Sequence, residues 1–182
     1  MADPANEGPS DEALIARWRG GEERAATTLV ERHAAALARF AASQGVREQV
    51  EELVQDTFVK AFGSLDGFRG EASFRTWLFT ILRRLVLDRR RSERRGREVV
   101  ELTDTEPASG FGALDRLVAE ETETRVHVAL ARLSRLQREV FTLRVSEGLS
   151  YKDIAKVLDS TEGAARVHYH HALQRVKEAL DE

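Results

Sequence analysis

The sequence predicts an all-α protein of two helical domains joined by a flexible linker. Apolar residues recur at steps of three and four through two long blocks, and no strand-like alternation of any length interrupts them. The only prolines, Pro4, Pro9 and Pro107, leave both blocks unbroken. A proline inside a helix costs about 3 kcal/mol, so its absence there permits long helices. With 182 residues, 42% of them hydrophobic and 32% charged, the chain can bury one or two real cores and stay soluble.

Residues 1–10 are expected to form a disordered tail, without the basic and apolar regions of a signal peptide. Leu14, Ile15 and Trp18 mark a first short helix that Gly20-Gly21 ends. Ala26, Leu29, Val30, His33, Leu37 and Phe40 step along one face of a second helix, and Val50, Val54, Phe58 and Phe62 along a third. Phe74, Trp77, Leu78, Ile81 and Leu85 do the same in a fourth helix that runs into an arginine cluster. These elements make a first domain over 11–95. From Gly96 to Gly112 the periodicity stops among turn formers and small polar residues, which reads as a linker over 96–113.

A second domain, 114–182, opens with Leu114, Leu117, Val118, Val126, Ala129, Leu130 and Leu133. Ser134 is the expected N-cap of a helix carrying Leu136, Val140 and Leu143, which Gly148 closes. Ser150 caps Tyr151 to Leu158, with Asp153 in the capping-box position. After a break at Asp159-Ser160-Thr161, a last helix points Ala165, Tyr169, Ala172, Val176 and Leu180 inward. A short helix, a three-residue break and a longer helix with a polar outer face describe a helix-turn-helix. Its second helix enters the DNA major groove, and here its outward positions are Ala164, Arg166, Val167, His168, His170, His171, Gln174 and Arg175.

A net charge of only −3 argues against a nucleic-acid binder until its distribution is considered. From Arg75 to Arg97, nine arginines stand against Asp88 and Glu93, a net of +7 in one segment. A run so one-signed repels itself and calls for an anionic partner. The absence of cysteine excludes disulfides and thiolate zinc sites and favours an intracellular location. No apolar run approaches the roughly 20 residues that a membrane helix needs. His168 and His171 share a helix face, but no carboxylate or cysteine completes a site there, so no metal is expected. His33, on an apolar stripe, reads as a satisfied core histidine.

Three blocks resemble a known family. Glu-Leu-Val-Gln-Asp-Thr-Phe-Val-Lys-Ala-Phe (52–62) resembles the region 2 helix with which sigma factors grip the RNA polymerase clamp. Phe-Arg-Thr-Trp-Leu-Phe-Thr-Ile-Leu-Arg-Arg-Leu-Val-Leu-Asp-Arg (74–89) resembles the following helix, which handles the −10 element and strand opening. Leu-Ser-Arg-Leu-Gln-Arg-Glu-Val-Phe-Thr-Leu-Arg (133–144) with Glu-Gly-Leu-Ser-Tyr-Lys-Asp-Ile-Ala (147–155) resembles region 4. In order and spacing the blocks match the extracytoplasmic-function (ECF) sigma factors, group 4 of the sigma-70 family.

The resemblance implies a non-enzymatic cytoplasmic subunit that recognises promoters for core RNA polymerase, without cofactor or small-molecule substrate and under the control of an anti-sigma factor. It places Leu53, Gln55, Asp56 and Lys60 at the polymerase. Phe68, Arg69, Ser73, Arg75, Trp77, Arg83, Arg84 and Arg90 fall at −10 DNA, although Phe74 and Trp77 also suit the core. Arg166, Val167, His168, His170, His171 and Arg175 fall at −35 DNA. Arg84 stands where relatives often carry asparagine, and Val167, His168 and His171 where they carry polar or basic residues. Since histidine changes charge around neutrality, −35 binding is expected to depend on pH. A helix-turn-helix regulator working without polymerase is the competing reading, and it leaves 52–62 unexplained.

Overall fold

The structure, a computed structural model, describes residues 8–46, 49–98 and 129–181. Helix α1 (Asp11–Arg19) starts where the Ser10 side chain accepts the Ala13 amide, with Asp11 and Glu12 in its first turn and Arg17 and Arg19 in its last. Both charge placements complement the helix dipole. Helix α2 (Glu23–Ser43) buries Ala25, Leu29, His33, Ala36, Leu37, Phe40 and Ala41. Helix α3 (Val50–Gly63) follows, then a 3₁₀ turn (Leu65–Gly67) and the long helix α4 (Phe74–Glu98).

In α3 the inward face differs from the expected one. Leu53, Thr57, Phe58 and Ala61 are buried, whereas Val50, Val54 and Phe62 are only half-buried. Thr57 enters the core at no polar cost because its hydroxyl donates to the Leu53 carbonyl at 2.7 Å. The face is thus set one residue round from the apolar stripe. In α4, likewise, Phe74, Leu78, Phe79, Leu82 and Val86 are buried, while Trp77, Ile81 and Leu85 lie at the margin. Phe40 and Phe79 meet edge to face at 5.5 Å in the centre of this bundle.

Helix α4 continues past Gly96 to Glu98; the rest of the expected linker and Leu114, Leu117, Val118 and Val126 lie outside the described residues. Residues 129–131 are helical, and Arg138 donates to the carbonyls of Leu130, Ala131 and Leu133 at their end. Helix α5 (Arg135–Phe141) has a full capping box between Ser134 and Gln137, and runs into a π-helical turn (Thr142–Ser146). Gly148, at φ 66°, supplies the left-handed turn that ends it. Helix α6 (Tyr151–Leu158) is capped by Ser150, whose hydroxyl accepts the Asp153 amide and donates to the Asp153 carboxylate, and helix α7 (Glu162–Asp181) completes the unit.

The two helical domains pack against each other, α6 lying along α4. Val140, Leu143, Leu149, Ile154, Val157 and Leu158 join the same continuous core as Leu37, Phe40, Phe79 and Leu82. A smaller cluster of Ala129, Leu133, Ala172 and Val176 ties α7 to the residues before α5.

Candidate polymerase and nucleic-acid interfaces

Gln55, Asp56 and Lys60 are exposed along α3. Leu53 is not with them. It is 2% exposed and holds α3 to the bundle, so it is removed from the candidate surface. Beside that face, Val30, Ala34, Val50, Val54, Phe58 and Val59 line an open apolar groove between α2 and α3, about 720 Å³ in volume. Val59 leaves 64% of its surface exposed, the largest such value among the large apolar side chains of the described residues.

The turn before α4 carries an aromatic group. Phe68 lies 5.1 Å from Trp77 and 5.7 Å from Phe74, which is fully buried. Phe68 and Trp77 are half-buried, so each keeps part of its ring at the surface. Ser73 caps α4 by accepting the Thr76 amide at 3.1 Å. Arg69 is exposed, and Arg19 donates to the Leu65 carbonyl at 2.7 Å, anchoring the turn to α1.

The described arginines of α4 divide into three groups, the first being Arg89 alone, which donates to Glu52 on α3 at 2.9 Å. Arg84, Arg91, Arg94 and Arg95 are exposed. Arg75, Arg83 and Arg90 instead face the second half of the molecule or its margin. Arg75 Nη2 donates to Glu147 Oε2 at 2.8 Å, and Arg83 Nε to Glu139 Oε2 at 2.9 Å. Arg90 donates to the Gln44 carbonyl, and its charge also bears on Arg138, whose pKa falls below the usual guanidinium value through burial first and Arg90 second. Arg39 on α2 completes the Glu147 cluster with a two-pronged contact, at 3.0 and 3.1 Å. The sequence reading gave Arg39, Glu139 and Glu147 no site role. Glu139 did carry a signal, since it lies three residues after Leu136 on an apolar stripe and so needs a buried partner.

In the helix-turn-helix, Arg166, Val167, His170, His171 and Arg175 are exposed on α7, and His168 is half-buried. Tyr151, the first residue of α6, bridges the two helices by meeting Tyr169 edge to face at 5.8 Å. The Arg166 guanidinium lies 4.6 Å from the Tyr151 ring centre and that of Arg144 at 4.8 Å. Arg166 also reaches Glu162 at 3.6 Å, so its head is held on two sides. His171 borders a small polar pocket with Gln137, Gln174, Arg175 and Glu178. No cluster of three potential metal ligands occurs among the described residues, nor does a helix long and apolar enough to cross a membrane.

Family comparison decides what this arrangement serves. Residues 29–96 match the sigma-70 region 2 family and residues 123–176 the sigma-70 region 4 family. The chain is 35% identical to the RNA polymerase sigma factor NccH of Alcaligenes xylosoxydans xylosoxydans, over 90% of this chain and 89% of that one. The chain belongs to the sigma-70 family of RNA polymerase sigma factors. Within it the ECF type is represented by the ECF RNA polymerase sigma-E factor of Escherichia coli (strain K12), 29% identical over 94% of this chain and 93% of that one. Among solved sigma-factor structures, CnrH in complex with the cytosolic domain of CnrY gives a TM-score of 0.70 at 31% identity, covering 95% of this chain and 98% of that one. RpoE in complex with the anti-sigma factor NepR from Bartonella quintana gives 0.66 at 31% identity, covering 85% and 96%. Helices α2–α4 are thus region 2 of an ECF sigma factor, and α5–α7 lie in region 4.

Proposed function

We propose that this sigma factor uses three separate surfaces in initiation: α3 for core polymerase, the Phe68 turn with the arginine face of α4 for the −10 element, and α7 for the −35 element. The observation that supports this most is the exposure of charged and polar residues on each of these faces, in the chain order of the family. Gln55, Asp56 and Lys60 offer the polymerase a polar strip along α3 next to the apolar groove. Opening a duplex takes bases out of the stack, and a half-buried aromatic pair beside guanidinium groups suits a splayed base and its backbone. On α7, Arg166 is held near the helix start, where a guanidinium reaches a guanine edge or a phosphate.

The protein carries out no catalysis of its own and works in the cytoplasm, where the polymerase and the chromosome are. An anti-sigma factor holds it between signals, as its solved relatives with CnrY and NepR suggest. Transcription from a cognate promoter with purified core polymerase tests the whole reading. Asp56→Lys with Gln55→Ala should weaken capture of core polymerase while leaving helical content unchanged, because exposed substitutions cost under about 0.5 kcal/mol. Equal capture by the double variant and the parent would refute the α3 assignment.

A further inference from the structure

Val59, Val145 and Val167 are large apolar side chains left exposed among the described residues. A single exposed valine needs no explanation on an ordinary surface. Val167 stands elsewhere, on the outward face of the recognition helix α7, with 53% of its surface free. On the same face Gly163 lies one turn before it, and His170 and His171 one turn after, all exposed. A Cβ on Gly163 would meet only the Thr161 hydroxyl, at 3.9 Å, so the surface beside Val167 is open to a flat edge. From Glu162 to His170 the helix holds one permanent cation, Arg166, and one carboxylate, Glu162, and the two lie 3.6 Å apart. The start of α7 therefore offers DNA little net charge. Arg166 is also held over the Tyr151 ring, which fixes its place next to Val167.

We propose that Val167 reads the C5-methyl group of a thymine in the major groove of the −35 element, beside the guanine edge or phosphate that Arg166 takes. The inference rests on the reading that α7 is the −35 recognition helix. That methyl is the one apolar group that base edges present in the major groove. Valine in a helix keeps nearly a single χ1 rotamer, so it offers two methyl groups at a fixed place and loses little freedom on contact. It also disfavours other bases. Pressed against the amino group of cytosine or adenine, valine displaces water and returns no hydrogen bond. Arg166 and Val167 are successive residues, about 100° apart round the helix and about 1.5 Å along it. The thymine thus falls within about two base pairs of the Arg166 contact. Arg166 supplies the grip, and Val167 supplies the base identity.

The test uses the full chain assembled with core RNA polymerase, and promoter duplexes enriched by binding from a pool randomised over the −35 region. Each thymine of the enriched element, on either strand, is replaced in turn by deoxyuridine, which removes the C5-methyl group and nothing else. At one position the parent should lose about fourfold in affinity, the effect of one buried methyl group. Cytosine and 5-methylcytosine at that position should differ by a similar factor. Val167→Ser changes an exposed residue, so the helix stays folded, and it should bind the thymine and uracil duplexes equally. Equal binding of the two by the parent at every position would overturn the proposal. So would a difference that persists undiminished in Val167→Ser, or an enriched element without an A·T pair. In parallel, Arg166→Ala tests the underlying reading. If that variant loses −35 binding while uracil replaces thymine without effect, only the Val167 assignment fails. If the pool yields no −35 preference and Arg166→Ala binds as the parent does, the α7 reading falls and takes the proposal with it.

Discussion

Individual side chains set how precisely region 4 can act. Arginine carries about 2 kcal/mol of rotamer entropy, which a free side chain gives up on binding. Stacking on Tyr151 and pairing with Glu162 remove part of that loss for Arg166 in advance. An exposed cation–π contact is worth about 0.5–1 kcal/mol. Tyr151→Leu is therefore expected to weaken binding of a −35 duplex by roughly two- to fivefold, while Tyr151→Phe, which keeps the ring, restores it. Equal affinity of the leucine and phenylalanine variants would show that the ring does not orient Arg166. Asp11 makes a second residue-level prediction. Burial raises its carboxyl pKa, but hydrogen bonds and charge from His33 and Arg32 outweigh that and bring it below the ordinary value. A carboxylate with a lowered folded-state pKa adds stability that is complete above its unfolded pKa and vanishes as pH falls through the folded value. The stability advantage of the parent over Asp11→Asn, measured by urea denaturation, should thus be present at about pH 6 and shrink by about pH 3.

At the level of the elements, the turn between α6 and α7 fixes how the recognition helix is presented. Asp159 ends α6 in a left-handed conformation, at φ 52°. Aspartate accepts that conformation better than most residues, and a β-branched residue does not. Asp159→Val is expected to cost about 1–2 kcal/mol in denaturant unfolding, and Asp159→Gly to be tolerated. The turn itself was readable from Asp159-Ser160-Thr161, as were the bounds of α6 from Ser150 and Leu158, because caps and breaks act over three or four residues. The rotation of α3 was not readable. Hydrophobicity alone favours Val54 over Thr57, and only the hydroxyl bond back to Leu53 reverses that order. Leu53 was lost from the polymerase surface for the same reason. The ionic groups joining Arg39, Arg75 and Glu147 were out of reach too, since their partners are separated by 72 and 108 residues and no local pattern records such a pairing.

For the whole molecule the decisive feature is one core shared by two functional regions. Ile154, fully buried in α6, belongs to the same cluster as Phe40, Phe79 and Leu82. Both tryptophans, Trp18 and Trp77, lie in the α1–α4 half, so their fluorescence reports on that half alone. Ile154→Ala removes buried methyl groups from the other half and should cost about 2–5 kcal/mol. If the halves unfold as one unit, the tryptophan-detected midpoint must fall together with the midpoint seen by far-UV circular dichroism. A shift of about 2–4 °C per kcal/mol is expected for a chain of this size. If the halves unfold independently, the tryptophan midpoint stays at the parent value while the dichroism curve splits in two. Glu139→Gln with Glu147→Gln provides the complementary case, because it loosens the ionic contacts between the halves and leaves the methyl groups in place. That variant should uncouple the two midpoints that Ile154→Ala moves together, and coincident curves in both variants would show that apolar packing alone holds the regions closed.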